Sequence, residues 1–263
     1  MKIATIVARL AGAAIIALSV HGAAAAAEVK VMISGGLSAA YKELVPQFEK
    51  ATGNTVVTAY GPSMGTTENA IPVRLARGEA ADVLIMVGDA LGKMIEQGKA
   101  QEGTRVDLVR SPIGMVVRAG ATKPDISTVD ALKQALLNAK SVAYSDSASG
   151  VYVGTELFEK LGIAEQMKGK AKMIPAEPVA AGVARGESEL GFQQISELLP
   201  IPGADLVGPL PGPVQKITIF SAGIATGSKE PDAGKALIAF LASPVAAPTL
   251  KRTGLDPFSA TEK

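Results

Sequence analysis

Three segments rich in glycine and serine have the composition of anion-binding loops. They are SGG at 34–36, GPSMGTT at 61–67 and SDSASG at 145–150, and each follows a strand-like run and leads towards a helical pattern. Gly and Ser let backbone N–H groups approach a ligand, and a helix N-terminus adds partial positive charge. Each segment alone is equally compatible with an ordinary helix cap. The three together predict a site for a small anion.

The residue types that are missing exclude several kinds of chemistry. The 263 residues include no Cys and a single His, His21. Without Cys there is no disulfide framework and no thiolate nucleophile. Once His21 is removed with the N-terminal segment, a Ser-His-Asp triad and a His-ligated metal are excluded as well. No acidic cluster has calcium-loop spacing, so we expect no metal and no cofactor, with Asp, Glu, Lys, Tyr or Ser moving any proton.

The N-terminus has the pattern of a cleavable secretory signal peptide over residues 1–27. Two basic residues, Lys2 and Arg9, precede the apolar run 10–20, and the alanines at 23–27 provide an exit of the Ala-x-Ala type. A membrane anchor would need about 20 apolar residues. Cleavage predicts a periplasmic protein and leaves 24 Lys plus Arg against 25 Asp plus Glu, a formal charge of −1. With 4% aromatic residues, this charge balance argues against nucleic-acid binding.

Alternating strand and helix patterns must position the three loops. Strand patterns occur at 29–33, 54–60, 81–87, 113–118, 141–144, 173–175, 190–192 and 216–225. Helical patterns occur at 37–51, 72–77, 90–97, 128–139, 152–161, 178–185 and 232–242. The stretch rich in Gly and Pro at 200–213 is interpreted as a surface loop.

This order predicts an α/β protein with two lobes. Residues 28–111 together with 219–263 would form lobe 1, and residues 112–218 would form lobe 2. Two crossover segments, near 111–113 and near 217–219, would join the lobes as a hinge around a cleft. In open α/β sheets, ligands bind at the carboxyl ends of the strands, where the three loops lie.

Four stretches of the sequence resemble the periplasmic molybdate-binding protein family. They are VKVMISGGLSAAYKELVPQFEKATG, RGEAADVLIMV, SVAYSDSASGVYVGTELFEKLG and ESELGFQQ, and the resemblance extends from about Val29 to Phe258. It implies a type II solute-binding fold, in which each lobe is a mixed sheet with helices on both faces. It also implies that serines and backbone amides hold an oxyanion, at positions that fall on 34–36, 63–65 and 147–149.

The sequence departs from that family at places that affect the ligand. The first strand is followed by ISGGL in place of a run like AAASL, and Gln193 replaces a tyrosine. The loop before the second helix is longer, with Asn69, Pro72 and Arg74 in its vicinity. A small tetrahedral dianion needs no such enlargement, so we expect a larger, carboxylate-bearing ligand. A branch with this fold that the chain also resembles is periplasmic aconitate isomerase, which implies interconversion of cis- and trans-aconitate without a cofactor.

The candidate site residues fall into two groups. Asp146 on the third loop and Tyr152 beside it are candidates for proton transfer. Candidates for substrate binding comprise the loop residues, one arginine and two glutamines: Ser34, Gly35, Gly36, Ser63, Met64, Gly65, Arg74, Ser147, Ser149, Gln193 and Gln194.

Each candidate also has an ordinary structural interpretation. Asp146 would equally cap a helix, Tyr152 would pack in a core, and Arg74 would lie on an exposed helix face. The competing hypothesis for the whole chain is a non-catalytic receptor that delivers molybdate or a small carboxylate to an ABC permease. A monomer is expected in either case.

Overall fold

The structure is a computed structural model that describes residues 26–175 and 177–258. Residues 1–25 of the predicted signal peptide lie outside the described residues. In the described part of the chain, no helix is both long and apolar enough to cross a membrane.

The described residues form eleven strands and eleven α-helices. In chain order the strands are β1 (Glu28–Ile33), β2 (Thr55–Tyr60), β3 (Val83–Val87), β4 (Val106–Ser111), β5 (Ile113–Arg118), β6 (Val142–Ser145), β7 (Ala171–Ile174), β8 (Leu190–Gln194), β9 (Ala204–Pro209), β10 (Thr218–Ile224) and β11 (Asp256–Pro257). The helices are α1 (Ser38–Thr52), α2 (Ile71–Ala76), α3 (Gly88–Glu96), α4 (Val129–Asn138), α5 (Ala148–Tyr152), α6 (Phe158–Lys160), α7 (Ala164–Met167), α8 (Val179–Ala184), α9 (Ile195–Leu198), α10 (Pro231–Leu241) and α11 (Ala247–Arg252).

Two mixed sheets organise these elements, which confirms the predicted α/β fold class. The first sheet has the order β11-β4-β10-β3-β1-β2, and the second has the order β7-β6-β8-β5-β9. In the first sheet β1 is parallel to both neighbours, whereas β10 is antiparallel to β3 and β4. The chain passes from the first sheet to the second between Ser111 and Ile113, and returns before Thr218. We keep the names lobe 1 and lobe 2 for the first and second sheets with their helices.

Helices cover both faces of the first sheet, so most residues of its strands β1, β3 and β10 are buried. Val31 and Ile33 pack into one apolar cluster with Tyr41 and Phe48 of α1, while Met32 faces a second cluster with Leu91 of α3. Strands buried on both faces are expected to be almost continuously apolar. This burial explains why β1 and β3 were predictable from sequence.

The interpretation of residues 200–213 as a surface loop is wrong in its middle part. Strand β9 pairs antiparallel with β5 at the edge of the second sheet. Five of its six residues are half-buried, and the strand ends at Pro209. An edge strand of this kind lacks the apolar alternation on which strand prediction depends.

Asp82 joins the start of β1 to the segment that precedes α10. One carboxylate oxygen accepts hydrogen bonds from Ser228 Oγ (2.8 Å), Lys229 N (2.7 Å) and Glu230 N (3.0 Å), and the other accepts one from Lys30 N (2.8 Å). Burial alone would raise the pKa of Asp82, but these hydrogen bonds outweigh it and hold the pKa below its usual value.

We expect Asp82→Ala to lower the free energy of unfolding by about 2–3 kcal/mol, because three backbone donors and one hydroxyl lose an ionised acceptor. Since the folded pKa is depressed, this contribution is present above the ordinary pKa of 3.8 and is lost as the pH falls through the folded value. Urea unfolding at pH 7 measures the effect. The control is Asp232→Asn, because that side chain is 95% exposed and should change stability by less than about 0.5 kcal/mol. Equal effects in both variants would contradict the role given to Asp82.

Candidate functional site

A cleft of about 830 Å³ lies between the lobes. The carboxyl ends of three strands from the two sheets open into it: Ser34 follows β1, Ser63 follows β2, and Ser147 follows β6. The segment after β8 contributes as well. The sheets therefore bring together residues as far apart in the chain as Ser34 and Ser147.

Nine of the predicted site residues line this cleft. They are Ser34, Gly35, Gly36, Ser63, Met64, Asp146, Ser147, Gln193 and Gln194. Asn69, predicted as part of the enlarged loop, lines it too. Pro72 at the start of α2 is not among the lining residues.

The other four predicted residues lie outside the lining. Arg74 forms an ion pair with Glu79 and donates to Asn69 O, so its guanidinium is engaged within lobe 1. The Tyr152 hydroxyl donates to Val214 O at 2.7 Å within the core of lobe 2. Ser149 is fully buried against Ser145, and Gly65 takes a φ of 100°. The placement of Tyr152 agrees with its structural interpretation, whereas Arg74 is half-buried beside Glu79 and not on an exposed helix face.

Ser34 presents an unsatisfied hydroxyl to the cleft. The residue is 4% exposed, and among the described residues its Oγ is the single buried side-chain polar atom without a hydrogen-bond partner. A buried polar group without a partner costs stability, so a donor left in this state is poised for a ligand. Ser63 also has a hydroxyl hydrogen that is available to a ligand. Its Oγ accepts a hydrogen bond from Val87 N at 2.8 Å, which leaves its own hydrogen to donate.

We expect Ser34→Ala to weaken binding of a carboxylate ligand by about tenfold to a hundredfold, since hydrogen bonds to charged groups contribute about 1.5–3 kcal/mol. The melting temperature of the ligand-free protein should stay the same or rise, because the lost hydroxyl has no partner. Titration calorimetry and thermal unfolding measure the two effects. Ser243→Ala, which removes a hydroxyl bonded to Phe240 O, is the matched control. A fall in stability with unchanged affinity would contradict the assignment.

Two cations on the cleft wall were missed by the sequence analysis. Lys42 of α1 is exposed, with its Nζ 5.2 Å from the centre of the Tyr60 ring. Arg252 of α11 pairs with Glu43 at 2.5 Å. Lys42 was detectable as a cation eight residues after Ser34 on the following helix. Arg252 was not, because only the return of the C-terminal segment to lobe 1 brings it to the cleft.

Glu197 of α9 is the third residue that sequence reasoning missed. Its carboxylate crosses from lobe 2 to the backbone of Gly35 in lobe 1, where a β-carbon would collide with Oε1. Burial raises the pKa of Glu197, a hydrogen bond from Gln193 lowers it and the negative charge of Asp146 raises it, with a result of about 7. The available signal was the single acidic residue of the segment ISELL at 195–199.

Next to Glu197, a direct hydrogen bond joins the lobes. Ser196 Oγ donates to Gly36 O at 2.6 Å, and both residues are buried. A side chain at Gly36 would collide with the ring of Phe220, which also lines the cleft. Glycine at 36 leaves room for this ring, whereas a side chain at 35 would have to push aside the movable end of Glu197. At 35 the space holds a carboxylate, and at 36 it holds an aromatic ring.

No group of three or more His, Cys, Asp or Glu side chains within residues 26–175 and 177–258 is arranged to hold a metal ion. The groups that line this cleft include hydroxyls, amides, two cations and a carboxylate with a raised pKa. Such a set can hold a polycarboxylate and exchange a proton with it.

The fold and the cleft are those of a solute-binding protein, and the chain belongs to the bacterial extracellular solute-binding protein family, whose sequence model matches residues 29–256. The chain is 51% identical over 230 residues to aconitate isomerase from Pseudomonas sp, with 88% of each chain covered. It is 28% identical over 243 residues to the molybdate-binding protein ModA from Azotobacter vinelandii, covering 88% of this chain and 91% of that one.

The solved structures agree on the fold. The sulfate-binding protein SubI from Mycobacterium tuberculosis H37Rv superimposes with a TM-score of 0.70 at 17% identity, covering 89% of this chain and 88% of the other. The predicted resemblance to the molybdate-binding family, and to its aconitate isomerase branch, is confirmed.

Proposed function

We propose that the protein is a periplasmic isomerase that interconverts cis- and trans-aconitate by allylic proton transfer in the cleft between the lobes. The observation that carries this proposal is the 51% identity to an aconitate isomerase over 88% of both chains. Family membership supports the periplasmic location, which the predicted signal peptide would bring about.

The donors of the cleft suit a molecule with three carboxylates. Ser34 and Ser63 offer hydroxyl hydrogens from lobe 1, and Ser147 offers a hydroxyl from lobe 2. Lys42 and Arg252 supply positive charge on the lobe 1 wall. Charge-assisted hydrogen bonds to carboxylates are about twice as strong as neutral ones. A trianion bound by both lobes would hold the lobes closed around the carbons that react.

The reaction itself is a shift of one C=C bond without oxidation or reduction. A base removes a proton from the methylene carbon, and the electron pair of that C–H bond forms the new double bond. The electrons of the old double bond move towards the neighbouring carboxylate and then take up a proton at the former vinylic carbon. Donors placed at the carboxylates stabilise the negative charge that develops in this step.

Incubation of the mature protein with cis-aconitate, followed by proton NMR, tests the proposal. We expect trans-aconitate to accumulate until the two isomers reach a constant ratio, and the same ratio should be reached when the reaction starts from trans-aconitate.

The second candidate, an ABC importer receptor for molybdate or a small carboxylate, is favoured by the 28% identity to ModA over 88% of the chain. Tight molybdate binding together with no conversion of aconitate would support the receptor and contradict the isomerase.

A further inference from the structure

We propose that Glu197 is the base that carries the proton between the two carbons of the substrate, a role that rests on the proposed isomerase activity. Its carboxylate is half-buried in the cleft and reaches from α9 of lobe 2 to the Gly35 backbone of lobe 1. A ligand held by Ser34 and Ser147 from opposite lobes would have this carboxylate beside its carbon chain.

The other acidic residues on the cleft wall are poorly suited to this task. Glu43 is paired with Arg252 at 2.5 Å, and Glu177 is paired with Arg185 at 2.9 Å. An arginine that binds a carboxylate occupies the oxygens that would have to accept the proton. Asp146 lies exposed on the rim, where water competes for its oxygens. Its negative charge acts on Glu197, so we assign Asp146 an electrostatic effect on the base.

Gln193 is the positioning residue for this base. Its Oε1 accepts a hydrogen bond from Val179 N at 3.0 Å, and this bond is buried. With the oxygen fixed there, the amide NH₂ is directed towards Glu197, to which it donates.

One carboxylate is enough for the complete step. The ionised Glu197 takes the methylene proton, which breaks a C–H bond and forms an O–H bond. The same carboxylic acid then returns a proton to the former vinylic carbon, which restores the carboxylate and completes the shifted double bond. Electrons and protons balance without a co-reactant, and Glu197 ends in its starting state.

The test compares Glu197→Gln with the unmodified protein in two measurements, the initial rate of isomerisation by NMR and the affinity for trans-aconitate by calorimetry. We expect kcat to fall about 10²–10⁴-fold, the usual contribution of a positioned base, while the affinity changes by less than about threefold, because glutamine keeps the shape of the side chain. Glu165→Gln is the matched control, because this glutamate is 80% exposed on lobe 2, and it should keep full activity.

A kcat of Glu197→Gln within tenfold of the unmodified protein would overturn the assignment, as would a loss confined to affinity. If the unmodified protein itself does not isomerise aconitate, the proposed function fails before the base is tested, so the two failures are distinguishable.

Gln193→Met provides a second test that does not alter the carboxylate. It should move the midpoint of the pH–rate profile upwards, since the lost hydrogen bond stabilised the ionised form of Glu197. An unmoved midpoint would contradict the link between the two residues.

Discussion

The kcat/KM for aconitate isomerisation is expected to fall about a hundredfold between pH 7 and pH 5, about tenfold for each pH unit below the pKa of the base. Burial raises the pKa of Glu197 to about 7, and the charge of Asp146 also raises it against the opposing hydrogen bond from Gln193. Only the ionised carboxylate accepts a proton from carbon. The rate should therefore rise up to about pH 7 and then level off.

Other charged groups face the same cleft and have to be separated from this effect. They are Lys42, Glu43, Asp146, Glu177 and Arg252. The affinity of Glu197→Gln for trans-aconitate, measured over the same pH range, depends on the ionisation of these groups and of the ligand. It does not depend on the ionisation of Glu197, because this variant lacks that carboxylate. A rate that is flat between pH 5 and 7 after this correction would contradict the assigned base.

The free energy of unfolding provides an independent measurement of the ionisation of Glu197. Because the folded pKa of about 7 lies above the ordinary value of 4.5, the folded state holds the proton more tightly and loses stability as the pH rises through this interval. Glu197→Gln cannot ionise, so we expect it to stabilise the ligand-free protein at pH 8 by about 1–3 kcal/mol and to have little effect at pH 4. Activity and stability should thus change in opposite directions in one variant.

Gly150→Ala is the second change with a large expected effect. Gly150 lies in α5 against the end of β6, where a β-carbon would collide with the backbone carbonyl of Ser145. Backbone cannot yield as a flexible side chain can, so α5 has to move away from the strand. We expect a loss of about 1–3 kcal/mol in the free energy of unfolding, the usual cost of overpacking.

The displacement also reaches the cleft, because Asp146 and Ser147 lie in the connection that would have to shift. We expect kcat/KM to fall about a hundredfold, a loss typical of misplacing reacting groups by about 1 Å. Gly92→Ala is the control. Gly92 lies inside α3 with only the tip of Arg105 within 4 Å, so alanine should stabilise that helix by about 0.5–1 kcal/mol. Activity retained in Gly150→Ala would contradict the placement of the third loop.

The loops of the site were predictable because their signal is local. Ser34, Ser63 and Ser147 each lie within three residues of the end of a strand, and the rule that ligands bind at the carboxyl ends of strands predicts all three in one cleft. Arg74 was predicted to bind the ligand because an arginine near a polar loop suits a carboxylate. Its partner Glu79 is only five residues away, but the spacing alone does not determine which acid an arginine selects.

Glu197 could not be assigned from sequence because its properties come from distant residues. The helix that carries it has four residues, too short to show periodicity. Its pKa depends on burial against Gly35, about 160 residues earlier in the chain, and on the hydrogen bond from Gln193. Strand β9 was missed for a related reason, because an edge strand takes its hydrogen bonds from a neighbour and shows little of this in its own composition.

The most direct test of the central claim uses cis-aconitate with both methylene hydrogens replaced by deuterium. Allylic proton transfer turns the methylene carbon into the vinylic carbon of the product, so trans-aconitate should carry deuterium at its vinylic position. Its methylene group should be CHD where Glu197 returns the deuteron that it removed, and CH₂ where that deuteron has exchanged with water. Proton NMR of the product after conversion by the unmodified protein distinguishes the two positions. Deuterium that stays entirely in the methylene group, or no conversion at all, would contradict the account.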